Sequence, residues 1–165
     1  MEPEKEVSFL DLLRELNRQN IRYLLIGRRA VILYGAPVLT ADHDLWIHPD
    51  DKKRVLSFLV EELGFELSQP LDTKRPILSA FSGPRKYDLF FQRSVRNTES
   101  ETIQFEECYR NSILKEDPGE NLQFRIPSVD DLIRLKKVRP PNPKDEQDIE
   151  YLLKAKQLIK KPKMS

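Results

Sequence analysis

The chain has 165 residues, a length that one domain of ordinary size accounts for. Its 39 % hydrophobic and 33 % charged residues give a core and a solvated surface, which excludes a fibrous or lipid-embedded chain, and its net charge of +1 excludes a globally basic polyanion binder. The single cysteine, Cys108, excludes an intrachain disulfide and a multi-cysteine zinc site, no apolar run approaches the ~18 residues of a membrane span, and the acidic, polar start Met1 to Ser8 does not resemble a signal peptide, so a cytoplasmic protein is expected.

Ser8 to Asn20 is expected as an amphipathic helix with Ser8 as N-cap and Phe9, Leu10, Leu12, Leu13 and Leu16 on one face. The short apolar run Arg22 to Ile26 follows as a buried strand, and Arg29 to Tyr34, bracketed by Gly27 and Gly35, as a short helix. Asp42 to His48 is expected as a strand. Asp50 is expected to cap a helix running to about Leu63, stopped by Gly64, with Phe65 to Ser68 as a short strand. Pro76 to Ser82 and Lys86 to Gln92 flank Gly83-Pro84 as a hairpin. Val95 to Glu101 is expected as a loop and Thr102 to Arg110 as a helix. Ile113 to Lys115 and Leu122 to Ile126 suggest a second hairpin. Ser128 caps a helix to about Val138, and Pro143 opens a last helix to about Ile159. From Arg134 to Lys163 the chain carries ten basic and four acidic residues, so a basic end, suited to phosphates or simply solvated, follows an acidic body.

Phosphate-loop, dinucleotide and nucleophile-elbow motifs are all missing. His43 and His48 are five apart on an expected strand, hence on opposite faces, and cannot share a metal. Asp42 and Asp44, two apart, fall on the same face. Paired carboxylates repel unless a cation neutralises them, and hard oxygen donors suit Mg²⁺, which also binds substrate phosphates. Asp88 is a third acid in an otherwise apolar strand, where a charge is costly away from a site or an edge. Its alternatives are a place in the same cluster and an ion pair with Arg85 or Lys86.

These residues resemble the nucleotidyltransferases of the DNA polymerase β superfamily, in their small prokaryotic branch. The matching stretches are Leu25-Ile26-Gly27, Ala30-Val31, Tyr34-Gly35, Thr40-Ala41-Asp42-His43-Asp44-Leu45-Trp46-Ile47, Asp88, Ser128 to Lys136, Pro143-Lys144-Asp145 and Asp148-Ile149. The resemblance spans about Phe9 to Leu153. It implies an α/β (α+β) fold, a mixed β-sheet flanked by helices with a helical carboxyl-terminal part. The chain 1–165 would form one such domain, with its catalytic core at about 8–92, a carboxyl-terminal region at about 102–159 and a basic tail at 160–165. It further implies two Mg²⁺ ions held by Asp42, Asp44 and Asp88, a nucleoside triphosphate as substrate, and a hydroxyl acceptor on RNA, a protein or a small molecule. Asp88 would also act as base, Lys136 would approach the triphosphate, and Asp148 would lie near the site. Members of the branch occur in toxin–antitoxin pairs, so a partner protein is an expectation too.

Two positions depart from the family pattern. Arg28 stands where a small Gly or Ser follows Gly27, and His43 stands where an apolar residue separates the two acids. Arg28 either supplies a guanidinium to the phosphates or crowds the approach that a small residue would leave open. An active Mg²⁺-dependent nucleotidyltransferase and a non-catalytic nucleotide- or partner-binding module on the same fold, antitoxin-like, are therefore both open.

Overall fold

The computed structural model describes residues 6–160. Helix α1 (Phe9–Arg18) is capped by Ser8, whose Oγ accepts from the Asp11 N–H at 3.2 Å, and it buries Phe9, Leu12, Leu13 and Leu16. Its end is the left-handed Asn20, a conformation Asn tolerates better than most residues. Strand β1 (Tyr23–Ile26) leads directly into α2 (Gly27–Leu33), and β2 (Asp44–Ile47) begins two residues later than the sequence pattern suggests, leaving Asp42 and His43 before the strand. A 3₁₀ turn (Pro49–Asp51) precedes α3 (Lys52–Glu61).

The cap of this segment differs from expectation. His48, not Asp50, accepts the first free N–H, through Nδ1 at 3.0 Å, while Asp51 is drawn inward to the Arg22 backbone N–H and guanidinium. Pro49, with its fixed φ, makes the tight turn that sets this register. Strands β3 (Glu66–Leu67), β4 (Ile77–Ser82) and β5 (Arg85–Phe90) complete a five-stranded sheet of order β1-β2-β5-β4-β3, in which only β2 and β5 run parallel.

The next segment corrects the expected loop and helix. Ser94–Arg96 is a strand, β6, and pairs with Thr102–Gln104, β7, before α4 (Phe105–Arg110) begins. The turn between the strands is built by buried Asn97, whose Oδ1 accepts the N–H groups of Glu99 and Glu101 at 3.0 Å. That Asx turn lets the backbone reverse and pair, which a polar, low-periodicity stretch conceals. The second hairpin, β8 (Ile113–Asp117) and β9 (Leu122–Ile126), is as expected. Helix α5 (Val129–Leu135) is capped by Ser128, and α6 runs from Pro143 to Lys160. The expected basic tail lies outside the described residues, apart from the backbone of Lys160.

Strand alternation divides the interior in two. Tyr23, Leu25, Leu45, Ile47, Tyr87 and Leu89 face the larger core under α1, α2 and α3. Leu24 and Trp46 face the other way, onto Ile103, Phe105 and Cys108, with Ile26, Phe90 and Leu135 at the margin. This second face carries the candidate site.

Candidate active site

Register assembles the acidic half. Asp44 is the first residue of β2 and pairs with Asp88 on β5, which pairs with Ser79 on β4. The three side chains form a row across the sheet, and the Ser79 hydroxyl donates to Asp88 Oδ1 at 2.7 Å. Lys86 Nζ lies 3.7 Å from the same oxygen, whereas Arg85 pairs with Glu6 instead. The expected ion pair with Lys86 is present, and Asp88 also stands beside Asp44 across the β2–β5 pairing. Asp42 precedes β2 and is exposed. Burial, then the charges of Asp88 and Asp42, push the Asp44 carboxyl up to about 6, with Lys136 opposing.

Gly27 has φ +72°, and a Cβ built there would overlap Asp44 Oδ2. Only glycine permits both the left-handed backbone and this close approach. The strand-to-helix turn is thereby laid directly over the carboxylate.

His43 points away from the acids. Its ring stacks on Phe9 at 4.4 Å and lies 5.3 Å from Tyr87, while its carbonyl accepts from the Asp88 N–H at 2.9 Å. Burial, then Arg29 and Arg85, lower its pKa to about 4, so it works as a neutral aromatic ring. His48 packs edge-on against Phe105 on the other side, and the two histidines share no ligand. Arg29 hydrogen-bonds the Thr40 carbonyl at 3.3 Å and reaches that of Asp42 at 3.5 Å, strapping the loop that presents Asp42.

The cationic half comes from the carboxyl-terminal helices. Asp148 on α6 is 1 % exposed; its Oδ2 is 2.9 Å from Lys136 Nζ and its Oδ1 is 3.4 Å from Arg28 Nε. Arg28 Nη2 also donates to Gln147 Oε1 at 2.6 Å. The Arg28 guanidinium thus lies along α6. The 3.4 Å contact does not make a hydrogen bond, and both Arg28 Nε and Asp148 Oδ1 remain buried without one. Asp145 anchors the start of the same helix: burial works against its charge, but Arg139 and the Asn142 backbone hold its pKa below the ordinary value.

The donor set fits a divalent cation. Three carboxylates are close enough to disfavour Asp44 ionisation, a condition that a hard cation relieves. The fit is one of chemistry and not of a finished cage: among the described residues, no three His, Cys, Asp or Glu side chains already converge on a metal position.

No protein-family model matches the sequence, and no curated protein is similar to it. Solved structures are similar in fold. A lincomycin-bound lincosamide antibiotic adenylyltransferase, LnuA, superposes with a TM-score of 0.64 at 14 % identity, over 92 % of this chain and 99 % of that one. The chain has the nucleotidyltransferase fold. ANT(2'')-Ia in complex with adenylyl-2''-tobramycin gives 0.59 at 17 % identity, over 90 % and 87 % of the two chains. A nucleotidyltransferase-like protein from Paracoccidioides brasiliensis gives 0.56 at 20 % identity, over 89 % and 72 %. This fold accounts for the mixed sheet and for the helical part that brings Lys136 and Asp148 to it.

Three site residues escape the sequence reading. Ser79 is detectable only once the β4–β5 register is known, because a lone Ser in a strand carries no signal. Arg29 is masked by its neighbour Arg28. Arg139 lies in a proline-rich stretch that looks like a simple helix stop.

Proposed function

We propose that this chain transfers a nucleotidyl group from a nucleoside triphosphate to a hydroxyl of a small molecule, with Mg²⁺ held by Asp42, Asp44 and Asp88. The observation that carries the reading is the row Asp44–Asp88–Ser79, laid under Gly27 and bordered by Lys136. The similar structures add weight: one is named an adenylyltransferase and bound to lincomycin, and another holds an adenylylated tobramycin.

In the proposed reaction, the acceptor oxygen forms a bond to the α-phosphorus. The bond to the bridging oxygen breaks, and its electron pair leaves with pyrophosphate. Asp88 is the group proposed to accept the hydroxyl proton: the Ser79 hydroxyl fixes one of its oxygens, and strand pairing sets it beside Asp44. Mg²⁺ held by Asp42, Asp44 and Asp88 would supply positive charge to offset the negative charge developing at the transferring phosphate. Lys136 meets the phosphates as a point charge that must exchange Asp148 for them. Arg28 then keeps Asp148 neutralised, so it serves the site by holding the counter-ion and not by touching phosphate. This role stands beside the two sequence alternatives of contact and blockage, and triphosphate affinity in Arg28→Ser separates them.

Incubation with each α-labelled nucleoside triphosphate, Mg²⁺ and a panel of hydroxylated small molecules, RNA and protein extract tests the reading. Label on a small molecule, lost in Asp44→Asn, supports it. Label on RNA or protein redirects the acceptor. Mg²⁺-dependent triphosphate binding without any transfer favours the non-catalytic module.

A further inference from the structure

Beside the carboxylates lies a cavity of about 320 Å³ whose chemistry differs sharply from theirs. Its floor is the next row of the same sheet face. Two residues on from Asp44 is Trp46, two on from Asp88 is Phe90, and Phe90 pairs with Ile77 on β4. Val95 of β6 closes one side, and Leu132 and Leu135 of α5 form the roof. Trp46 spends its only polar atom internally, donating Nε1–H to the Gln92 carbonyl at 2.7 Å. The lining is therefore mostly carbon, and its polar members are Asp44, Gln92, Lys136, Arg139 and Asp145, the last held by Arg139 and the Asn142 backbone.

We propose that this cavity receives the apolar body of the acceptor, so that the acceptor class is a small, uncharged, amphipathic alcohol. The inference rests on the transfer reading above and deepens it. In-line displacement puts the attacking and leaving oxygens on opposite sides of the phosphorus. The cavity begins at Ile26, Gly27 and Lys136, on the β1 side of Asp44, which is the side for the departing pyrophosphate. Ile77, Phe90 and Val95 stand on the β4 side, beyond Asp88, which is the side for the attacking hydroxyl. The volume is at the small end of ligand sites, about 300–1,000 Å³, and most such sites are apolar with a few fixed polar groups. An RNA end would need a basic track with stacking platforms, and a polycation would meet Lys136 and Arg139. Neither suits a lining mostly of aliphatic and aromatic carbon.

Trp46 is the chain's only tryptophan, so its indole N–H is a single reporter from the cavity floor. The full chain is titrated with 2-cyclohexylethanol, with spermidine and with Mg-ATP, while the indole and Gly27 amide resonances are followed by NMR. A saturable indole shift with the alcohol and none with spermidine is expected. Mg-ATP should move the Gly27 amide without displacing the alcohol. Ile77→Asp, at a half-exposed rim position that should tolerate the change, is expected to weaken the alcohol at least tenfold and to spare Mg-ATP. An indole unmoved up to the solubility limit of the alcohol overturns the proposal. So does Mg-ATP that shifts the indole and competes with the alcohol, because the cavity then holds the nucleobase. If the alcohol binds and Mg-ATP does not, the transfer reading fails and with it the acceptor role, leaving only an apolar-ligand site.

Discussion

The two halves of the site solve the problem of buried charge in opposite ways. At the sheet, strand register brings Asp44 and Asp88 together with only partial compensation from Lys86 and Lys136, and burial and the neighbouring carboxylates raise the Asp44 pKa. At the helices, one buried carboxylate is enclosed by two cations, Lys136 and Arg28. The first half is a demand for positive charge and the second is an internal pairing, carried mainly by the 2.9 Å Lys136–Asp148 contact. The difference separates what the fold stores from what it stabilises. Altering the acids should damage chemistry and relieve the fold, whereas altering Asp148 should damage the fold first.

The largest expected effect is on stability. Asp148→Ala leaves two half-buried cations, Lys136 and Arg28, without their carboxylate, and breaking a buried pair in this way typically costs about 3–5 kcal/mol; urea denaturation should show a large fall in midpoint. A midpoint that does not move would mean that the pairing does not hold the helices. Next comes Asp88→Asn, which removes the proposed base and a metal donor but keeps the Ser79 contact. Transfer activity should fall about 10²–10³-fold, comparable to losing one preorganised transition-state group, with the midpoint within experimental scatter of the parent.

Arg28→Ser is expected to be milder, because Lys136 still pairs with Asp148. The loss is about 1.5–3 kcal/mol, that of one charge-assisted contact. Calorimetry should show Mg-triphosphate affinity falling as well, since Lys136 alone then serves Asp148. A rise in affinity would show instead that Arg28 obstructs the phosphates.

The smallest effect contrasts two neighbours in sequence, His43 just before β2 and Asp44 at its first position. The Asp44 pKa of about 6 lies above its ordinary 3.8, so the folded state binds a proton that the unfolded state lacks between these values, and stability gains as pH falls through that window. The His43 pKa of about 4 lies below 6.5, so the unfolded state binds the proton and stability is lost as pH falls from 6.5 to 4. The two slopes oppose each other in the parent. Asp44→Asn should raise the melting temperature at pH 7 by a few degrees and steepen the acid loss, and His43→Phe should reverse its sign between pH 6 and 4. Parallel curves in parent and variants would contradict both assignments.

Most of the acidic half is legible in the sequence because strand geometry is periodic. An acid at the start of β2, Asp44, and an acid in an apolar run, Asp88, translate directly into a shared face, whereas Asp42 lies before the strand, where the two-residue spacing no longer decides its direction. The helical half follows only from resemblance to known nucleotidyltransferases, because Lys136 and Asp148 meet across two helices and no local pattern encodes that meeting. The role of Arg28 stays hidden for the same reason: its partners lie about 120 residues away, at Gln147 and Asp148. The strand β6 is missed where side-chain chemistry at Asn97, and not hydrophobic alternation, makes the turn. The cavity becomes visible only when the rows through Trp46 and Phe90 are aligned.

Contacts that tie the first helices to the β8–β9 segment also impose an order in time. Arg14 grips the Glu120 carbonyl and carboxylate, Asn17 holds the Gln123 carbonyl, and Tyr34 donates to that of Pro127 at 2.6 Å. As the chain leaves the ribosome, the amino-terminal segments must wait for nearly a hundred residues before these clasps close. The acids emerge long before Lys136 and Asp148. A nascent chain ending near Gln92 would display Trp46 and Phe90 to the surroundings with no α5 to cover them, making this interval the one in which a chaperone has most to hold.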